Sequence, residues 1–242
     1  MKIQEVKKLS ISSQISLQLR KMILNGEITS GTKLPPEREL AAQFGTNRNT
    51  LREAIRILEE EGLVKVRQGG GMMVQDWRKN GSIGLLPHVM LLMDGTDEKL
   101  GFMRDALKIR RMALGLVARM AAENLSEEHH NDLDEAMGRV KKALDGNDDP
   151  VEADINFYQT LVSIGGSMVL SWLTNTVITI TRQVAQEARS LWVIDQSYVD
   201  GLENVCDAVC SKDPDKAQQA LERHLEHSDS VVENLLKGGL YE

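Results

Sequence analysis

Apolar residues recur at helical spacing along most of this 242-residue chain. In the first such stretch, residues 12–25, Ile15, Leu19 and Ile23 share one face. The pair Asn25-Gly26 that follows is typical of a left-handed helix end. We therefore predict an amphipathic helix that packs one face against a core.

A second and a third helix follow a turn-rich segment. Two prolines precede the short pattern at 37–44 and a glycine follows it, which suits a helix with a defined start and stop. Asn47 is a preferred N-cap for a third helix that runs to about Glu61. The apolar residues of this helix repeat as on one buried face: Leu51, Ala54, Ile55 and Leu58. The pattern predicts helix, tight turn, helix.

The character of the chain changes after this point. The stretch LVKVRQGGGMMVQDW at 63–77 has two short runs of β-formers around three glycines, which predicts a β-hairpin. Polar residues 79–84 are typical of a linker, and the remainder shows only helical patterns. We predict these helices over 85–93, 97–123, 126–144, 151–163, 167–189, 193–211 and 214–236. The predicted fold is therefore mainly α: a winged helix-turn-helix domain at 1–78, then an all-α helical-bundle domain at 85–242.

Charge is distributed unevenly between these two parts. The whole chain carries a formal charge of -7, but residues 1–78 contain 13 basic and 9 acidic side chains, a net of +4. The remainder has 16 basic and 27 acidic side chains, a net of -11. Only the first part is expected to be attracted to phosphates.

The outer face of the third helix carries side chains that suit DNA. In a helix-turn-helix the second helix of the pair enters the major groove, where Arg binds guanine and Asn binds adenine. Here Asn49, Arg52 and Arg56 fall together opposite the apolar face, with Arg48 on its flank. An equally open alternative is that the arginines form a solvated face.

The glycine-rich hairpin adds weight to the DNA-binding interpretation. Arg67 and Gln68 precede the three glycines, which permit close approach to a minor groove. A purely structural turn is the alternative for the hairpin taken by itself. Together, the helix pair and the hairpin favour a DNA-binding wing.

The segment LPPERELAAQFGTNRNTLREAIRILEEEGLVKVRQGGG at 34–71 resembles the DNA-binding domain of GntR-family regulators. It follows the family pattern L-P-x-E-R-x-L, then R-x-x-[VL]-R-x-A-x-x-x-L, then G-x-G. The resemblance implies this DNA-contacting set: Arg38, Arg48, Asn49, Thr50, Arg52, Gln68 and Gly69. The position after Gly69, a lysine in the FadR subfamily, is Gly70 here, which puts that contact in doubt.

The helical second domain resembles the FadR subfamily of these regulators in short stretches such as ADINFYQTL, EARSL and RHLEHSDSV. The resemblance implies a homodimer that binds double-stranded DNA at a palindromic operator. It also implies a small-molecule effector that alters DNA affinity. A fatty acyl-CoA is the first expectation, and a carboxylate metabolite is the alternative.

Many relatives in this subfamily hold a divalent metal with one Asp and three His. Alignment of the helices places Asp154, Tyr158, Leu202 and His224 at these positions, so two imidazoles are missing. We therefore expect a site without metal or cofactor, because Tyr and Leu cannot replace neutral imidazoles. A makeshift site from Asp154, His224 and His227 remains open.

Without metal, a ligand would sit in an apolar pocket with a few polar groups. The candidate polar residues are Arg110, Asp154, Tyr158, Arg182, His224 and Ser228. For each one alone, a core hydrogen bond or interhelical salt bridge is an equally good explanation.

Other functions receive little support from the sequence. We find no nucleophile elbow, phosphate loop, dinucleotide fingerprint or zinc-protease motif, so no enzyme is expected, and a helical scaffold is a weaker alternative. No segment has the length of a membrane span or the apolar run of a signal peptide, which favours a cytoplasmic protein. Cys206 and Cys210 are expected to be buried thiols on one helix face.

Overall fold

A computed structural model describes residues 10–92, 96–187, 189 and 192–237, with side chains throughout except at 96, 187 and 231–237. Parts of the predicted helix 85–93, of the EARSL stretch and of the N-terminal segment lie outside the described residues. Contacts divide the chain into two compact units, residues 1–99 and 100–242.

The first unit begins with three helices, α1 (Ile11–Leu24), α2 (Glu37–Gln43) and α3 (Arg48–Glu60). The strands β1 (Val64–Arg67) and β2 (Gly71–Val74) form an antiparallel hairpin in which Val64 faces Val74 and Arg67 faces Gly71. The predicted helix-turn-helix and hairpin are confirmed.

Burial on α3 follows the predicted apolar face. Leu51, Ala54 and Leu58 have no exposed surface and Ile55 has 3%. Asn47 caps the helix by accepting a hydrogen bond from the Thr50 amide at 3.0 Å. The core of the first unit therefore fixes which residues of α3 face solvent.

A buried ion pair joins α1 to the end of α3. Arg20 donates from Nε and Nη2 to the two carboxylate oxygens of Glu61, at 2.8 and 2.6 Å. His88 lies 3.7 Å from the same carboxylate. Burial and the Arg20 charge lower the pKa of His88 to about 4. His88 is therefore neutral at physiological pH, so the pairing of Glu61 is with Arg20.

The stretch predicted as a linker contains short helical elements. These are α4 (Trp77–Asn80) and a 3-10 turn (Ile83–Leu85), followed by α5 (Leu86–Leu92). Asp76 caps α4 by accepting a hydrogen bond from the Arg78 amide. Hydrophobic periodicity could not predict this short helix, because the stretch is mostly polar. Contacts group these elements with the first unit, while the functional boundary at 79–84 stays a prediction.

Six long helices make up the remainder: α6 (Thr96–Asn124), α7 (His129–Leu144), α8 (Pro150–Ile164), α9 (Met168–Glu187), α10 (Gln196–Cys210) and α11 (Pro214–Lys237). The buried faces of α6, α7, α8, α10 and α11 form an apolar core that includes Phe157, Leu161, Leu202 and Leu221. A second buried cluster joins α8 to α9. The predicted mainly helical fold is confirmed. The start of α10 was predicted three residues too early, because Asp195 caps the helix by accepting from the Tyr198 amide at 2.8 Å.

Two further observations concern exposure. Cys206 is half-buried, but Cys210 is exposed, so the expectation of two buried thiols is wrong for Cys210. Within the described residues, no helix combines the length and the apolar character needed to cross a lipid bilayer.

Candidate DNA interface and effector site

The exposed face of α3 carries the predicted DNA-reading residues. Arg48, Asn49 and Arg52 are exposed and Thr50 is half-buried at the first turn of the helix. The Thr50 amide is engaged by the Asn47 cap. The N-terminal part of α3 therefore presents two guanidinium groups and one amide side chain to solvent.

Acidic neighbours engage some of these cations more than others. Arg52 lies 3.5 Å from Glu37 and Arg56 lies 3.6 Å from Glu60, both in exposed ion pairs. Among the described residues, Arg48 makes no ion pair. Because exposed ion pairs are weak, all these guanidinium groups can exchange their carboxylate partner for phosphate or a base.

The tip of the hairpin is a tight turn closed by the Gly70 amide, which donates to the Arg67 carbonyl at 3.0 Å. Gly69 has a φ of 73°, in the left-handed region that favours glycine. Gln68 and Gly69 are fully open to solvent at this tip. The geometry is that of a wing with a small backbone profile.

One face of the hairpin is basic, which periodicity did not single out. Lys65 pairs with Met73 and Arg67 with Gly71, on the face opposite the buried Val64 and Val74. Lys33 joins β2 by an isolated bridge to Met73. Lys65 and Arg67 share a face because side chains alternate along β1. Lys33 joins them through the tertiary fold, which sequence periodicity does not reveal.

The second unit contains a cluster of buried and half-buried polar side chains from four helices. Arg110 lies on α6, Asp154 and Tyr158 on α8, Tyr198 on α10, and His224 and Asp229 on α11. Arg110 Nη2 donates to Asp229 Oδ1 at 2.8 Å, and the Tyr198 hydroxyl donates to Asp154 Oδ1. The structure thus brings together four of the six predicted ligand residues, Arg110, Asp154, Tyr158 and His224.

The His224 ring is enclosed by aromatic and backbone atoms of α10. Its centroid lies 4.5 Å from that of Tyr198, edge to face. A methyl group built on Gly201 would overlap the imidazole. The absence of a side chain at 201 therefore makes room for His224, while Leu202 beside it is fully buried in the apolar core.

Burial suppresses charge in much of this cluster. It raises the pKa of Asp154, against the opposing effects of the Tyr198 hydrogen bond and of Arg110. Burial, and to a smaller extent the charge of Arg110 and the neighbouring His227, lower the pKa of His224 to about 4. His224 is therefore a neutral imidazole at physiological pH, able to donate from one nitrogen only.

Several buried atoms of the cluster have no hydrogen-bond partner. These are Arg110 Nε and His224 Nε2, and the Tyr158 hydroxyl lacks a well-formed bond beside Tyr198. Buried polar atoms are normally satisfied, so each one in a native fold needs an explanation. All three groups can donate hydrogen bonds, so a ligand with several oxygen atoms could accept from them.

The other two predicted ligand residues lie differently. Arg182 is about half exposed and donates from Nε and Nη2 to Glu152, both at 2.8 Å. Within the described residues, no hydrogen bond joins the half-buried Ser228 to the cluster. Tyr198 and Asp229, in contrast, were missed because neither stands out by spacing or motif.

Metal ligands do not converge in the part of the chain that the structure describes. No group of three His, Cys, Asp or Glu side chains there could hold a metal ion. His227 is exposed, and its Nε2 lies 3.3 Å from Ser197 Oγ.

The chain combines a winged helix-turn-helix, which exposes Arg and Asn side chains, with an all-helical unit that contains a polar cluster. This combination is typical of a class of bacterial transcription regulators. Residues 11–74 match the family described as bacterial regulatory proteins, gntR family. Residues 105–227 match the FCD domain family. The chain belongs to the GntR family of regulators and carries an FCD domain.

Named relatives are similar along nearly the whole chain. The HTH-type transcriptional regulator Mce2R of Mycobacterium tuberculosis is 29% identical over 235 residues, which cover 96% of this chain and 95% of the relative. The HTH-type transcriptional repressor NanR of Escherichia coli is 29% identical over 223 residues, which cover 89% of this chain and 81% of the relative.

Solved structures share the fold at lower identity. A GntR-family member from Pseudomonas syringae is 22% identical, with a TM-score of 0.50, and covers 96% of this chain and 88% of its own. The Lar regulator of the Listeria monocytogenes agr system is 14% identical, with a TM-score of 0.55 over 95% of this chain and 100% of its own.

Proposed function

We propose that this chain is an effector-responsive regulator that binds a palindromic DNA operator as a homodimer. The observation that carries the proposal is the exposed N-terminal part of α3, where the side chains of Arg48, Asn49 and Arg52 face solvent. Arg and Asn at these positions reach base edges in the major groove. Gln68 and Gly69 at the wing tip and Arg38 at the start of α2 complete the proposed contact set.

An exposed apolar stripe on α9 supports association with a second copy. Met168, Val169, Trp172, Leu173 and Val177 expose 67, 62, 62, 61 and 43% of their surface. A contiguous apolar surface of this kind marks an interaction site in a soluble protein. A second copy fits the stripe because one winged domain reads only a half-site, and dimers bind two.

The buried polar cluster supports a small carboxylate as the effector, rather than a fatty acyl-CoA. Arg110 Nε, the Tyr158 hydroxyl and His224 Nε2 are all able to donate to oxygen. A carboxylate offers paired acceptors, and a guanidinium binds it in a planar fork. In a fatty acyl-CoA the thioester group is neutral, and the negative charge lies on the phosphates of the CoA moiety. The proposed site works without metal, since His224 is the single imidazole among the side chains named in the cluster.

Assignment to the FadR subfamily is part of the same proposal. It is supported by the ADINFYQTL stretch, which places Asp154 and Tyr158 one helical turn apart on α8.

Footprinting on DNA that spans the chain's own upstream region tests DNA recognition. The expected result is a protected palindrome whose affinity falls steeply with salt, because Lys and Arg release counterions from phosphates. Unprotected DNA at low salt would contradict the proposal.

Sedimentation at micromolar concentration tests the homodimer. Trp172→Glu should produce monomers, while Asn175→Glu, an exposed position beside the stripe on α9, should leave the dimer intact. A wild-type monomer with and without DNA would refute this part.

The effector site is tested by adding carboxylates to the operator complex. Response should require Arg110, so that Arg110→Met binds DNA as the wild type does but no longer responds. A native protein that holds stoichiometric zinc, nickel or manganese, and that loses its response on chelation, would show that the site is a metal centre.

A further inference from the structure

The guanidinium of Arg110 is only partly used. Its Nη2 donates to Asp229 Oδ1, while its Nε is buried with no hydrogen-bond partner. The Asp229 carboxylate is 4% exposed. The side chain of Arg110 is 30% exposed, but its Nε edge is buried and carries a single bond where it has room for two.

Another buried arginine in the same chain shows the complete arrangement. Arg20 uses Nε and Nη2 together to bind both oxygens of Glu61. This edge is the planar fork that matches a carboxylate bidentately. Arg110 has the same edge but lacks the second bond, so its pairing with Asp229 is incomplete.

We infer that Asp229 is an internal competitor for the effector, holding part of the Arg110 edge until an anion displaces it. The inference rests on the proposed anion site. An incoming carboxylate that binds Nε can form the full fork only through Nη2, and Nη2 is the atom that Asp229 holds. Nη2 carries two hydrogens, and the fork needs the one on the Nε side, so the effector competes with Asp229 for Nη2 when Asp229 accepts that hydrogen.

Charge favours the same exchange. Arg110 is the cation of the cluster, Asp229 is the carboxylate that contacts it, and His224 is neutral beside them. Asp154 is a second buried carboxyl group, whose pKa burial raises. A second anion next to Asp229 would meet strong repulsion, because the interior screens charge poorly. The approach of an effector therefore pushes Asp229 away from Arg110.

Arg111 offers the displaced carboxylate another partner. Its Nε lies 3.5 Å from Asp229 Oδ2, and its Nη1 lies 3.1 Å from Glu226. Both acids belong to α11, while Arg110 and Arg111 are neighbours on α6. A small movement of Asp229 would then transfer the α6 to α11 link from Arg110 to Arg111.

Calorimetric titration with sodium malonate tests this inference, with sodium chloride at equal ionic strength as the reference. Asp229→Asn keeps the shape of the side chain and removes its charge, so malonate should bind about 10-fold more tightly than to the wild type. Asp215→Asn is the matched control. Asp215 also joins α11 to an arginine of α6, Arg119, but its side chain is 75% exposed. We expect this control to leave malonate affinity within about 2-fold of the wild type.

The outcomes separate the inference from the anion site itself. Equal or weaker malonate binding by Asp229→Asn, with binding still dependent on Arg110, would overturn the competitor role alone. Malonate that binds Arg110→Met as well as it binds the wild type, or that binds no variant, would overturn the anion site too.

Thermal unfolding provides a second measurement if Asp229→Asn is too unstable for titration. Malonate should then raise its Tm more than that of the wild type, because the added anion replaces the missing counter-ion. Asp229→Ser should behave in the same way. A malonate shift no larger than that of the wild type in both variants would contradict the inference.

Discussion

Alanine at position 201 tests how tightly the His224 imidazole is held. Gly201 lies within α10, and a methyl group there would overlap the His224 ring. The ring has little freedom to retreat, since His224 is 6% exposed and packs on Tyr198. Overpacking of a well-filled core costs about 1 to 3 kcal/mol. Against this, Ala is favoured over Gly inside a helix by about 0.5 to 1 kcal/mol.

Gly138 on α7 is the matched control, because a methyl group there meets nothing within 4 Å. Gly138→Ala should therefore stabilise the protein by about 0.5 to 1 kcal/mol. Relative to it, Gly201→Ala should be less stable by about 1 to 3 kcal/mol. Urea unfolding followed by circular dichroism measures both, and operator binding at low urea checks that the DNA-binding unit is intact. Equal stability of the two variants would show that His224 moves aside freely.

Three more predictions follow from the described contacts. Arg48→Ala and Arg52→Ala should each weaken operator binding by about 1 to 3 kcal/mol, because a base contact is lost. The control Lys21→Ala, at an exposed position on α1, should leave operator affinity unchanged. Unchanged affinity in both arginine variants would refute their assignment as DNA contacts. Arg20→Met should destabilise the first unit by about 3 to 5 kcal/mol, since it leaves the Glu61 carboxylate without its counter-charge and beside the neutral His88. A loss below about 1 kcal/mol in urea unfolding would contradict this. The pKa of His224 is about 4 in the folded protein and 6.5 in the unfolded chain, so between these pH values the unfolded chain binds a proton that the folded protein does not. About 3 kcal/mol of folding stability is therefore lost as pH falls through this window. His224→Gln should flatten that part of the stability profile, and an unchanged profile would argue against a buried neutral imidazole.

The DNA-binding face could be predicted from sequence because it depends on one helix. Leu51, Ala54 and Leu58 define the buried side of α3, and the position of Arg48 and Arg52 then follows from a period of 3.6 residues. The wing was predictable for a similar reason, since its turn is local.

The effector cluster was only partly predictable because its contacts are distant in sequence. Tyr198 is 44 residues from Asp154, and Asp229 is 119 residues from Arg110. Helical periodicity says which face of each helix is buried, but not which residues of different helices meet. Arg182 illustrates the opposite error: its surface pairing with Glu152 depends on how α8 and α9 pack, which no pattern in either helix reveals.

Ionic strength distinguishes the two binding activities. The cations proposed to contact DNA are exposed and belong to the segment with net charge +4, so added salt competes for them directly. Arg110 instead lies within a buried cluster, in a segment of net charge -11, where screening by salt is weak. An anionic effector therefore gains little from long-range attraction and depends on the local guanidinium groups of α6. Salt should weaken operator binding by orders of magnitude while leaving malonate affinity nearly constant, which a titration of both from 50 to 200 mM salt would measure. If malonate affinity fell with salt as steeply as operator affinity, the anion site would lie at the protein surface.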